Sequence, residues 1–298
     1  MKKRLLVIVG PTSSGKSALA VALAKKLNGE IISADSRQVY RGLTIGTGKI
    51  TKKEMYDVPH HLLDVASAKN VFTAHDFMRK ARAAIEDITA RGKLPVVVGG
   101  TGFYIDALVG RIALPDVAIN EKLRNRLEKK TTMQLFAMLK KTDTRRATTV
   151  DPHNKRRLVR ALEIVSALGE SPSTKIDAPY EIHWIGLRLP ADTLDKKIHL
   201  RLLGRMKMGM IAEARRLHAN GISYKRMHAL GLEYRSLARF LQGDISRAQM
   251  TEELDQAIRH YAKRQITYWK RNTDIHWFAP SQVRELEKSI RTWLTVHS

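Results

Sequence analysis

The feature that most constrains this chain is the run Gly10-Pro11-Thr12-Ser13-Ser14-Gly15-Lys16-Ser17, which follows an apolar stretch at 5–9 and leads into a helical pattern at 18–27. A strand that feeds a glycine-bounded turn into a helix N-terminus aims successive backbone N–H groups, and the positive end of the helix dipole, at one point where an anion of several oxygens can sit. Gly10 and Gly15 permit angles and close approach that a Cβ forbids, Lys16 supplies a mobile point charge, and the Ser17 hydroxyl can join the shell of a magnesium ion, Mg²⁺ (Mg2+). The pattern specifies a phosphate-binding loop for a diphosphate or triphosphate and leaves the chemistry open. It also predicts an α/β fold, a P-loop NTPase-like parallel sheet flanked by helices.

Further strands are expected at 30–34, 60–65, 94–98, 183–189 and, as an edge strand, 275–278. Helices are expected at 73–91, with Thr73 and Asp76 as a cap and Gly92 as the stop, at 191–220, at 246–271 and from 281. From Pro115 the pattern changes to charged helical segments, 120–130 and 133–141, followed by a helix started by Asp151 as N-cap and Pro152 at the first position. This predicts an inserted helical domain at 115–176 within a core of 1–114 and 177–298, closed by a linker at 169–180 that contains Pro172 and Pro179. The length suits one large domain carrying a smaller one.

With 53 lysines and arginines against 29 acidic residues, the net charge is +24. Such an excess repels itself and suits a polyanionic partner, nucleic acid first. The absence of cysteine excludes disulfides, thiolate catalysis and cysteine-ligated metal centres. No apolar run approaches the ~18 residues of a membrane helix, and the basic start leads into a strand rather than a leader, so no membrane partner and a cytoplasmic location are expected. Arg156, Arg157 and Arg160 fall on one helical arc, with Leu158, Leu162 and Val165 on the other side. That arc reads either as a solvated charged face or as a surface for phosphates. Arg259, Lys263 and Lys270 form a second basic stripe, opposite Tyr261, Tyr268 and Trp269. His60 and His61 are not a metal pair, because neighbours on a strand point to opposite faces. Asp35, at the end of the second strand and before the polar, glycine-rich segment 36–49, has three readings: a cap, a magnesium carboxylate or a catalytic base.

The phosphate loop, the block Asp35-Ser36-Arg37-Gln38-Val39-Tyr40 with Ile45-Gly46-Thr47, the turn Gly99-Gly100-Thr101-Gly102-Phe103-Tyr104, Arg157-Leu158-Val159-Arg160-Ala161-Leu162-Glu163 and Tyr261-Ala262-Lys263-Arg264-Gln265 occur in that order. Together they resemble the tRNA dimethylallyltransferase (isopentenyltransferase) family, bacterial type, over nearly the whole chain. The resemblance implies a monomeric enzyme that transfers a dimethylallyl group from dimethylallyl diphosphate to the N6 amine of adenosine 37 in the tRNA anticodon stem-loop. It implies Gly10 to Ser17 as the diphosphate site, with Ser17 toward magnesium. It implies Asp35, Ser36, Arg37, Gln38, Thr101, Arg156, Arg157, Leu158, Val159, Arg160, Arg259 and Lys263 as tRNA contacts. Departures from the family pattern are Leu232 in place of a usual Tyr and Ile258 in place of a common Thr.

The residue chemistry suits that reaction. An allylic diphosphate leaves by C–O cleavage with charge building on its oxygens, which loop amides, Lys16, magnesium and a reaching arginine stabilise. Arg205 is the first choice for that arginine and Arg201 the second. Thr12 and Thr101 would hydrogen-bond the diphosphate or the reacting region, and Asp35 would take the amine proton. Two rivals use the same loop: a small-molecule or nucleoside kinase with Asp64 as its magnesium carboxylate, and a non-catalytic RNA-binding protein.

Overall fold

Residues 5–9 are fully buried because their strand has a neighbour on each side and helices over both faces. The computed structural model describes residues 2–172 and 179–296. In chain order the first elements are β1 (Lys3–Val9), α1 (Lys16–Lys26), β2 (Gly29–Ser33), α2 (Lys52–Met55), β3 (His60–His61), α3 (Ala74–Ala90), β4 (Leu94–Val98) and α4 (Gly102–Leu108). Next come α5 (Glu121–Glu128), α6 (Thr132–Thr142), α7 (Thr144–Ala147) and α8 (Lys155–Leu168). The chain continues with β5 (Tyr180–Leu187), α9 (Ala191–Lys207), α10 (Met210–Ala219), α11 (Tyr224–Leu230), α12 (Leu232–Leu241), α13 (Arg247–Trp269), β6 (His276–Phe278) and α14 (Val283–Val296).

The strands form one parallel sheet of order β3-β2-β4-β1-β5-β6, with Val7 registered against Val97 on one side and Trp184 on the other. Alternation along β1 sends Leu5, Val7 and Val9 to a core with Phe77, Ile85 and Trp269, and Leu6 and Ile8 to one with Val21, Ala24 and Ile290. Burial of both faces is why these strands read as continuous apolar runs. The chain leaves β1 toward β2 on one side of the sheet and later returns to β5 on the other. The carboxyl ends of β1, β2 and β4 therefore border the crevice where such sheets hold ligands.

By its contacts the chain falls into two compact units, 1–109 with 178–298, and Gly110–Asp177. In the first, α9 to α13 share a further core with Val39, Tyr40 and Leu43 of the loop after β2. In the second, α5, α6 and α8 pack through Leu127, Leu135, Leu139, Leu158 and Leu162. Residues 173–178 of the expected linker lie outside the described residues.

Several boundaries differ from the sequence reading for local reasons. The strand at 60–65 stops after His61, because Leu62 and Asp64 adopt φ of 66° and 55°. The helix expected at 191–220 is two helices, broken where Gly209 takes φ 96°. Helix α8 starts at Lys155, capped by Asn154, whose side chain accepts from Arg157 N. Asp151 caps no helix and instead accepts from His153 N. The capping boxes of Thr73 with Asp76 and of Ser246 with Gln249 are both present. Among the described residues no helix is long and apolar enough to cross a membrane.

Candidate active site at the carboxyl edge of the sheet

The loop between β1 and α1 is built on two special backbone positions. Gly10 has φ 150° and lies so close to β5 that a Cβ would stand 2.8 Å from Leu187 O. Gly15 has φ 94° and serves as the N-cap of α1, so the first, unpaired amides of that helix follow directly on the loop. Pro11 O accepts from Ser14 N at 3.3 Å and from Lys16 Nζ at 3.0 Å. The Ser14 hydroxyl is buried without a partner, a donor suited to a phosphate oxygen. Desolvation lowers the Lys16 ammonium to about 8, helped by Arg201 and opposed by Asp35. Its nitrogen thus lies in the field of both residues.

Two adjoining cavities open beside this loop. The inner one, about 60 Å³, is lined by Thr12, Lys16, Ser17, Asp35, Gln38 and Arg201 among others. The outer one, about 650 Å³, has an apolar floor that includes Val21, Ile45 and Met208, and Ser17 and Arg201 line both. Asp35 Oδ1 accepts from Arg37 N at 2.8 Å and from Gln38 N at 3.2 Å. It is therefore a turn cap, one of the three readings open in the sequence, and its residue also lines the inner cavity. The turn after β4 is tied to the same segment: Thr101 Oγ1 accepts from Ser36 N at 3.0 Å, and Thr101 N donates to Ala34 O at 3.2 Å. Tyr261 lies beside Thr101, and burial, with Asp35 nearby, pushes its phenol up to about 12.

The two arginines of α9 differ. Arg205 is buried, its Nη1 donating to Gly46 O at 2.6 Å and to Glu233 Oε1 at 2.9 Å, and it lines the outer cavity. Its charge is already matched by a protein carboxylate. Arg201 lines both cavities and donates from Nη2 to Gly48 O at 2.8 Å. Desolvation and the like charge of Arg205 push the Arg201 guanidinium down from its ordinary value, a strain that an anion beside it would relieve. The geometry thus favours Arg201, the second choice, over Arg205.

Two residues were not singled out from sequence. Glu213 accepts from the backbone N–H of Thr44, Ile45 and Gly46 at 3.0, 2.7 and 2.9 Å and from Tyr234 OH at 2.8 Å, holding the loop that walls the outer cavity. Gln265 accepts from Thr12 N at 2.8 Å and donates to Gly100 O at 2.9 Å. Glu213 reads as one more acid on an amphipathic helix, so no local signal finds it. Gln265 stood inside a recognised block without a role.

The basic surfaces are smaller than the sequence suggested. Arg156 and Arg157 are exposed, whereas the side chains of Leu158 and Val159 are buried in the core of their unit. Arg160 pairs with Glu163 and donates to Val117 O at 2.9 Å. Burial opposes ionisation of Glu163, but Arg124, Asn120 N and Arg160 outweigh it and hold the carboxyl at about 2. Arg259 is taken by Asp255 at 2.6 Å and Asp195 at 2.8 Å. Toward the C-terminal end of α13 and just beyond it, Lys263, Arg264, Lys270 and Arg271 are exposed. Asp64, the magnesium carboxylate of the kinase reading, accepts from Lys49 Nζ at 2.5 Å and lines neither cavity named here. Ile258 lies in the helical core, and Leu232 follows Gly231 with φ 34°.

Residues 38–272 match the family model described as IPP transferase. The chain is 38% identical to the tRNA dimethylallyltransferase of Halalkalibacterium halodurans, covering 97% of this chain and 95% of the relative. It is 43% identical to tRNA dimethylallyltransferase 2 of Treponema denticola over 91% of this chain and 92% of that one. Among solved structures it is similar to the full-length tRNA isopentenylpyrophosphate transferase of Bacillus halodurans, with TM-score 0.76, 36% identity and 98% and 97% of the two chains covered. It also matches a eukaryotic dimethylallyltransferase acting on tRNA, with TM-score 0.83, 27% identity and 97% and 77% covered. With the phosphate loop, the cavity carboxylate and the threonine turn gathered at one sheet edge, and with relatives this similar over almost its full length, the chain belongs to the IPP transferase family, that of the tRNA dimethylallyltransferases.

Proposed function

We propose that this chain prenylates tRNA, moving a dimethylallyl group from dimethylallyl diphosphate to the exocyclic N6 amine of adenosine 37. The observation that carries the reading is the inner cavity, where the Asp35 carboxylate shares a wall with Thr12, Lys16, Ser17 and Arg201. Leaving-group stabilisers and a proton acceptor thus stand within one small space. The C1–O bond breaks with its electron pair passing to the diphosphate, the amine nitrogen forms the new C–N bond, and the amine proton goes to Asp35. Removing that proton as the bond forms is worth roughly 10²–10⁴-fold in rate. Lys16, Arg201, the Ser14 hydroxyl and the loop amides receive the diphosphate charge.

Magnesium fits the donor set. Ser17 offers one hydroxyl at the junction of the cavities, and no cluster of three or more metal-ligating side chains occurs among the described residues, so the rest of a shell would come from diphosphate oxygens and water. When bound, the ion would offset charge on the leaving diphosphate. Thr101 orients Ser36 and the segment carrying Asp35. Arg156 and Arg157 of the inserted unit, Arg37, Gln38, and Lys263 with Arg264 on α13 supply contacts to the tRNA backbone and anticodon loop. Such contacts offset the cost, a few kcal/mol, of taking the adenine out of its stack. We take the enzyme to act as a monomer and place it in the cytoplasm with its tRNA.

The test incubates the protein with labelled dimethylallyl diphosphate, magnesium and unmodified tRNA or an isolated anticodon stem-loop bearing adenosines at positions 36 to 38. Label is expected in the RNA at adenosine 37, with little on AMP, which offers nothing to the basic surfaces. Comparable kcat/KM on AMP and on the stem-loop would sink the tRNA assignment while leaving prenyl transfer standing.

A further inference from the structure

Tyr261, Gln265 and Tyr268 follow one another on α13 at spacings of four and three, which puts them on one face. Each reaches the segment that begins at the end of β4. Tyr261 lies beside Thr101, Gln265 Nε2 donates to Gly100 O at 2.9 Å, and Tyr268 OH donates to Asp106. Gln265 also reaches across to the phosphate loop, its Oε1 accepting from Thr12 N at 2.8 Å. The orientation of its amide is determined by these partners, since a backbone N–H can only donate and a carbonyl can only accept. With 5% of its surface exposed, Gln265 makes both bonds away from water. Gly100 is shaped around it, because a Cβ there would stand 2.0 Å from Gln265 Nε2.

We propose that Gln265 is a positioning residue for the transfer reaction, setting the distance between the loop that holds the leaving diphosphate and the turn that carries Thr101. Thr101 in turn holds Ser36 N, next to Asp35, so the chain of contacts runs from the leaving group to the proton acceptor. The inference rests on the prenyl-transfer reading and adds to it a residue that touches neither substrate. Its physical basis is geometric, since a displacement of about 1 Å between reacting groups can cost up to ~10² in rate. The same bond occupies Thr12 N, the first amide after Pro11.

The experiment compares wild type with Gln265→Leu, which loses both bonds, and with Gln265→Glu, which keeps the size and the acceptor for Thr12 N but, ionised, has no donor for Gly100 O. Single-turnover transfer, inorganic pyrophosphate binding by calorimetry, tRNA binding and peptide-resolved amide exchange are measured on all three. In Gln265→Leu the expected result is a kcat lower by about tenfold to a hundredfold, with the Kd of pyrophosphate and of tRNA each within about threefold. Amide exchange should quicken in 10–17 and 99–104 and stay unchanged elsewhere. In Gln265→Glu the 99–104 segment alone should loosen, with a similar loss of kcat and weaker pyrophosphate binding from the added charge. A kcat within twofold of wild type in both variants, a pyrophosphate Kd weakened in Gln265→Leu as much as its kcat falls, or exchange quickened throughout the chain would each overturn the proposal. If wild type itself transfers no label, the prenyl-transfer reading falls. The link between the loops is then judged by exchange alone, and unchanged protection in both loops of Gln265→Leu overturns it.

Discussion

The two glycine-rich turns at the carboxyl edge of the sheet use glycine for different reasons. In 10–15 the backbone angle is unusual at both glycines: Gly10 takes φ 150°, with a Cβ also 2.8 Å from Leu187 O, and Gly15 takes φ 94°, where a Cβ would meet nothing within 4 Å. In 99–102 no glycine has positive φ, yet a Cβ on Gly99, Gly100 or Gly102 would stand 2.1 Å from Ala34 O, 2.0 Å from Gln265 or 2.2 Å from Tyr268. The first turn is shaped to present amides to a ligand. The second is shaped to let a strand and helix α13 come close enough to hold Thr101. Glycine spacing therefore says that a turn is special without saying whether angle or space is the reason.

The sharpest test of the pairing of the two turns is Asp35→Ala, since Asp35 lines the cavity beside the 10–17 loop and precedes Ser36, which the second turn holds. Turnover should fall roughly 10²–10⁴-fold while tRNA affinity stays within a few-fold, because proton removal belongs to the transition state. A kcat close to wild type would remove Asp35 as the base.

Alanine at the glycines separates angle from space. Gly99→Ala drives a methyl into the fixed backbone oxygen of Ala34 and should destabilise the protein by about 1–3 kcal/mol or more, as overpacking does. Gly15→Ala should cost about 1–2 kcal/mol from its left-handed angle alone. Denaturant midpoints read both, and equal costs at Gly15 and Gly99 with unchanged slopes would erase the contrast.

Lys16 gives the phosphate loop a pH signature. Burial pushes the Lys16 ammonium down to about 8, so if its charged form holds the diphosphate as proposed, affinity for dimethylallyl diphosphate should decline as pH rises through about 8. Lys16→Ala should weaken binding and flatten that dependence, as calorimetry across the range would show. An unchanged affinity in the variant would separate the lysine from the ligand.

The smallest effect belongs to the inserted unit. Replacing Arg156 and Arg157 together should lower the slope of log tRNA affinity against log salt by roughly 0.7–0.9 for each lost phosphate contact. Arg160→Ala should instead destabilise its unit, because Glu163 loses one of its cationic partners. A slope unmoved by the double substitution returns these arginines to a solvated face.

The sequence by itself determined the parallel sheet and the phosphate loop, because both are written in short-range pattern: apolar runs of strand length, a glycine-bounded turn and a lysine at the helix start. It also brought Asp35 and Thr101 to the sheet edge, since each follows a strand whose run is plain. The tertiary structure alone decided which charges are free. Arg205 and Arg259 read as available cations until Glu233 and Asp195 are brought to them from 28 and 64 residues away, whereas Arg160 meets Glu163 within its own helix. It alone decided that Leu158 and Val159 lie inward and that Arg201 reaches both cavities. It alone placed Gln265, 253 residues from Thr12 in the chain, between the two turns. Local geometry follows from neighbours in the chain, whereas the partner of a charge or an amide is set by packing among segments that the chain order keeps far apart.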